Sequence, residues 1–239
     1  YVNSYLNSKK IESYHLPDTY HFNPVSIEDE LKNIFEKQKI KDIDLIESNG
    51  YFYNTNRKPS LKFNSRQKCI TYCNRIVTEA EEKLRNSNVL IITLGGIETW
   101  KNLTNNKTCL TIPYPDLFNE KRNLFKFEIL EYEQVKKSIL SIINMVNKFF
   151  PKMTIIFTVS PNMMNFTCSD KDILYSTSQS KSVLRAAIGE IINKNIFKNV
   201  YYFHSYELVV YSSKRESYLN HKGHANDIAV NFVMKNFLF

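Results

Sequence analysis

Apolar positions along this chain recur with two periods, one helical and one continuous. In SRQKCITYCNRIVTEAEEKLR, Ile70, Cys73, Ile76, Val77, Ala80 and Leu84 fall on a single helical stripe. SIEDELKNIFEKQ places Ile27, Leu31, Ile34 and Phe35 at the same spacing, with Ser26 as the expected N-cap and Asp29 three residues on. YEQVKKSILSIINMVNKFF, stopped by Pro151, and SQSKSVLRAAIGEIINK predict two further amphipathic helices, and HANDIAVNFVMKNFLF predicts a last one. Between them lie NVLIITLGG, MTIIFTVSP and NVYYFHSYEL, which read as strands. Short continuous apolar runs of this kind suit parallel strands covered on both faces. Residues 47–64 read as an exposed loop with aromatic anchors, and residues 100–130 as irregular, broken by Pro113 and Pro115.

From residue 65 onward the predicted elements alternate helix and strand. That order argues for an α/β fold with a parallel sheet covered on both faces. With 239 residues and only 5 glycines and 7 prolines, nothing reads as a linker, so a single domain over residues 1–239 is expected. No run of 18 apolar residues occurs, so no membrane-spanning helix is expected. YVNSYLNSKK lacks the apolar centre of a signal peptide, which leads to the expectation of a cytoplasmic protein. The formal charge of +8 comes from lysines spread along the chain, without a block of five basic residues. A solvated lysine-rich surface is the better reading, and nucleic acid is not the expected partner. Cys69, Cys73, Cys109 and Cys168 fit no zinc spacing, and the Cys69/Cys73 pair reads as two small core residues. Neither a metal nor a cofactor is expected.

In open parallel sheets, ligands bind beyond the carboxyl ends of the strands. Three such ends can be read: TLGGIETW at residues 93–100, TVSPNMM at 158–164, and YFHSYEL at 202–208 followed by LNHKGH. Gly95 and Gly96 either form a tight turn or offer N–H groups to an oxyanion. Ser160 either contacts a ligand or, with Pro161, ends a strand, and Asn162 is a candidate side-chain donor to an oxyanion. His221 and His224, three apart before the last helix, either lie exposed in a loop or act as a base and its orienting partner. His204 ends the third strand, and Glu207 is a candidate substitute acid.

Taken in order, FNPVSIEDEL, TLGG, TVSPNMM, SQSKSVLRAA, YFHSYEL and HKGHAND resemble the landmarks of the GSCFA family, which is similar to SGNH hydrolases. The resemblance runs from about residue 20 to residue 239. It implies a three-layer α/β/α sandwich with a mostly parallel sheet, flavodoxin-like in outline, and acyl transfer to water or a sugar hydroxyl. The implied partner is an acylated sugar or polysaccharide. A serine would attack the ester, a histidine would take its proton, and an acid would orient the histidine.

In the closing Asp-x-x-His-Pro motif of the family, His224 takes the base position, His221 replaces the acid and Ala225 replaces the proline. The Gly-Ser-Cys-Phe-Ala nucleophile motif does not occur in these residues. The resemblance therefore implies a domain that is N-terminally incomplete here, with its first strand and its nucleophile upstream of Tyr1. A catalytically degenerate relative that binds a glycan or a protein partner is the alternative.

Overall fold

The structure is a computed structural model that describes residues 2–220 and 223–238. In chain order the first elements are α1 (Val2–Ser8), α2 (Pro24–Phe35), β1 (Leu45–Ser48), β2 (Tyr51–Asn54), α3 (Arg66–Arg85) and β3 (Val89–Leu94). There follow β4 (Glu98–Asn102), β5 (Lys107–Thr108), α4 (Pro115–Lys121), β6 (Phe125–Ile129), α5 (Tyr132–Phe149) and β7 (Thr154–Val159). The last are α6 (Ile173–Asn193), β8 (Val200–Phe203), α7 (Ser205–Val210), α8 (Arg215–Tyr218) and α9 (Asp227–Phe237). The fold is α/β, as the alternation of elements predicts. The chain divides into two compact units, each assembled from separated stretches. One comprises Tyr1–His15, Val89–Gly96 and Thr154–Phe239, and the other Leu16–Asn88 and Ile97–Met153.

The first unit holds a parallel sheet in the order β3-β7-β8. Val89 pairs with Thr154 and Leu94 with Val159, while Ile155 pairs with Val200 and Thr158 with Phe203. The central strand β7 buries Ile155, Phe157 and Val159 almost completely. Strand β3, at the edge of this sheet among the described residues, leaves Val89 half exposed. Helix α6 packs on β7 and β8 through a stripe of Ser180, Lys181, Leu184, Ala187, Ile188 and Ile191. Its start is fixed by Asp172, whose Oδ1 accepts from the N–H groups of Leu174 and Tyr175 at 2.8 and 2.9 Å. Such a cap satisfies donors that the first helical turn leaves without partners. A small cluster of Val209, Tyr218 and Ala229, flanked by Leu219, Ala225 and Phe232, joins α7, α8 and α9.

The second unit is helical and antiparallel. Helix α2 packs on α5, and the Glu28 carboxylate accepts hydrogen bonds from Ser138 and Ser141, each at 2.7 Å. Strands β1 and β2 form a hairpin across Asn49 and Gly50, both at positive φ, with Ser48 opposite Tyr51. Asn-Gly is the pair that a two-residue turn of this handedness favours. Strand β4 pairs antiparallel with β5 and with β6. Trp100 on β4 lies 4.9 Å from Phe118 and 5.3 Å from Phe127, ring centre to ring centre. Cys69 and Cys73 are free thiols buried with Ile40 and Leu45, as small core residues should be.

Four local expectations change. Residues 47–64 are not an exposed loop: they contain β2, and Tyr53 through Arg57 are buried. The backbone there is satisfied inside the unit, since the Leu110 N–H donates to Thr55 O at 2.7 Å and Arg57 N–H to Asn54 O at 3.0 Å. Residues 100–130 are not irregular but carry β4, β5, α4 and β6. The third strand ends at Phe203, and Ser205–Val210 is helical. Helix α2 begins earlier than expected. Asn23 is its cap and Pro24 its first residue, and Ser26 donates its N–H to Asn23 Oδ1 at 2.8 Å.

Candidate functional site

The carboxyl ends of β3 and β7 adjoin directly, because the Ser160 N–H donates to Leu94 O at 2.8 Å. Gly95 thus leaves the sheet beside Ser160. Beyond Ser160 the chain turns, with the Asn162 N–H donating to Ser160 Oγ at 3.3 Å. The end of β8 is joined to the end of β7 through Ser205. Its Oγ donates to Val159 O at 3.0 Å and lies 2.5 Å from Thr158 Oγ1.

The loop after β7 is stapled to the turn that carries His224. Asn162 Oδ1 accepts the Ala225 N–H at 2.9 Å, and the Met163 N–H donates to Gly223 O at 3.1 Å. With its oxygen engaged, Asn162 has its Nδ2 donors to offer a ligand. Gly223 has φ +69°, and a Cβ there would run into the Met163 side chain, so glycine permits this approach. The turn is closed by Asn220, whose N–H donates to His224 O at 2.9 Å and whose Oδ1 accepts the His224 N–H at 3.1 Å. Leu219 and Ala225 pair as an isolated antiparallel bridge. Within this frame His224 Nε2 is shielded from solvent and makes no hydrogen bond among the described residues. A buried ring nitrogen without a partner calls for an explanation, and a site awaiting a ligand is one.

Ser160, Asn162 and His224 are therefore brought together by hydrogen bonds of their own loops. Gly95 follows Leu94, to which Ser160 is bonded. His221 lies outside the described residues. His204 is exposed, with its ring 5.5 Å from that of Phe203. The Glu207 carboxylate is already engaged: Arg185 Nε donates to Oε1 at 2.6 Å, and the Tyr202 hydroxyl donates to Oε2 at 2.8 Å. Burial and that carboxylate push the Tyr202 phenol well above its ordinary range.

Sequence reasoning placed Lys181 in the SQSKSVLRAA landmark but gave it no role in the site. It occupies a core position on the α6 stripe, 3% exposed, and its Nζ donates to Gly95 O at 2.6 Å. Burial lowers its pKa to about 8. The available signal was periodicity, because Lys181 stands three residues before Leu184 and seven before Ile188, both buried. Among the described residues, no group of three or more His, Cys, Asp or Glu is arranged to hold a metal ion.

These features define an α/β protein whose candidate site is built from the loops beyond the carboxyl ends of parallel strands. The class is broad, since many chemistries use that place. The GSCFA family model matches residues 1–237, so the chain belongs to the GSCFA family. Neither the curated proteins nor the solved structures contain a match.

Proposed function

We propose that the chain is an SGNH-like esterase or O-acyltransferase that acts on an acylated carbohydrate by Ser/His chemistry, with His224 as the base. The observation that carries this reading is the buried Nε2 of His224, without a hydrogen-bond partner among the described residues, on a turn bonded to the Asn162 loop. Membership in the GSCFA family supports it. In this reading Nε2 takes the proton of the attacking hydroxyl and returns it to the leaving oxygen. Gly95 and Gly96 N–H groups and Asn162 Nδ2 face the oxyanion, and Ser160 contacts the substrate. In this reading a serine hydroxyl attacks the ester, and the Gly-Ser-Cys-Phe-Ala motif does not occur in residues 1–239. His221 takes the place of the acid. A neutral imidazole can accept the His224 ring N–H and fix its tautomer, but it gives an imidazolium less support than a carboxylate does.

The test is hydrolysis of p-nitrophenyl acetate by the full natural chain, with His224→Ala as control. Turnover that falls to background in the variant is expected, and equal rates would sink the reading. His221 in the acid position also favours a second reading, a non-catalytic relative that binds a glycan or a protein partner. Glycan binding that survives in His224→Ala, with no turnover in either protein, would select it.

A further inference from the structure

Lys181 is a costly residue for a helix stripe that packs on a sheet. Its side chain is almost wholly buried, and no carboxylate pairs with it among the described residues. An ammonium group buried without a counter-ion loses its hydration and gains no opposite charge in exchange. A methionine or leucine would fill the stripe without that cost. Among the described residues the one hydrogen bond that the amine makes goes to Gly95 O, the first carbonyl beyond β3.

That bond has a geometric consequence on the opposite side of the peptide. No described peptide bond is cis, so the Gly95–Gly96 unit is planar and trans. In a trans unit the C=O and the following N–H point in opposite directions. Holding Gly95 O toward the Lys181 amine therefore turns the Gly96 N–H away from it. Gly96 is buried, and its N–H makes no hydrogen bond among the described residues. Buried backbone donors are nearly always paired, so a donor held open at the carboxyl end of a parallel strand marks a place for an acceptor. A glycine pair is free to rotate this peptide, so the direction of the N–H needs a lock from outside the loop.

We infer that Lys181 is a positioning residue that clamps the Gly95–Gly96 peptide so that the Gly96 N–H faces the oxyanion of an acyl-transfer intermediate. The inference rests on the acyl-transfer reading above and adds to it the origin of the donor's orientation. Lys181 touches no reacting atom in this role. It acts through the carbonyl it holds, and its positive charge, buried behind the peptide, polarises the amide in the sense that strengthens the N–H donor.

Two measurements on the full natural chain test this. The first follows the carbonyl 13C resonance of Gly95 through a pH titration, in the parent and in Lys181→Met. In the parent it should move with a midpoint near 8, as the buried amine loses its proton. In the variant the step should vanish while the Leu94 and Ser160 resonances keep their positions. A Gly95 carbonyl that does not titrate in the parent overturns the clamp, whether or not the variant folds. The second is hydrolysis of p-nitrophenyl acetate. Lys181→Met should lower kcat by roughly 10- to 100-fold with KM within about two-fold, the scale expected for a mis-aimed oxyanion donor. A kcat within about three-fold of the parent overturns the positioning role. If the parent itself turns over no faster than His224→Ala, the acyl-transfer reading falls and the oxyanion role falls with it. The carbon titration then still decides whether Lys181 holds the peptide.

Discussion

Replacing His21 by phenylalanine should remove most of the acid sensitivity of this protein between pH 7 and pH 5. His21 is buried beside the Glu30–Arg57 ion pair, its Nε2 3.9 Å from Glu30 Oε2, and neither ring nitrogen has a hydrogen-bond partner among the described residues. Burial lowers its pKa from 6.5 to about 4; Glu30 opposes the shift and Arg57 adds to it. Between those two values the unfolded chain binds a proton that the folded chain refuses. Stability therefore falls as pH drops through the window, and it recovers above pH 6.5. A shift of this size corresponds to about 3 kcal/mol over the whole window and about 2 kcal/mol between pH 7 and pH 5. Glu30 is held below its ordinary carboxylate value of 4.5, despite burial, by Arg57 and His21. Its own contribution is fully present above that value and is lost only as pH falls further, so the chosen interval isolates the imidazole. Urea unfolding of parent and His21→Phe at the two pH values is the assay. The parent should lose about 2 kcal/mol more than the variant. Equal losses, within about 0.5 kcal/mol, would show that His21 is not buried neutral in the fold.

Two further outcomes follow from contacts already described. Arg57 Nη1 lies 3.0 Å from Glu30 Oε2, with the side chains 1% and 2% exposed, so Arg57→Met strands a buried carboxylate and should cost about 3–5 kcal/mol in urea unfolding. Adding Glu30→Leu should recover most of that loss, and a double variant no more stable than the single one would refute the ion-pair account. Gly223→Ala forces a side chain into a positive-φ position and against Met163. It should cost about 1–2 kcal/mol and speed hydrogen exchange at the Met163 amide. An unchanged midpoint with unchanged exchange would show that the staple does not depend on glycine.

The helices α3, α5 and α6 were legible because each carries a long amphipathic stripe, and β3 and β7 because each is a short apolar run between helices. The site loops were legible through family motifs in the right order and through the rule that ligands gather at strand ends. The antiparallel parts were harder for a physical reason. Strand β4 is polar in sequence, ETWKN, and its partner β6 begins over twenty residues later, so only non-local pairing makes it a strand. The β1–β2 hairpin did carry a local signal in Asn49-Gly50, overlooked because the flanking segments are short. Ser205–Leu208 read as strand because the aromatic run of Tyr201, Tyr202 and Phe203 continues into Tyr206, with Leu208 beyond it, and aromatic residues favour strands in isolation. Packing against α9 and β7 outweighs that preference. Arg57 looked like a surface residue, and nothing in its neighbours announces that Glu30 waits inside the unit.

The pairing of β3 with β7 also sets a timetable for synthesis. Val89 must wait for Thr154, and the whole of residues 97–153 emerges from the ribosome in between. At about 5–20 residues per second that interval is on the order of three to thirteen seconds. For that time VLIITL is an apolar segment without its sheet partner, of the composition that associates with other nascent chains. Slow codons within residues 97–153 would lengthen that exposure without altering a single amino acid, and a chaperone that occupies the segment would shorten it.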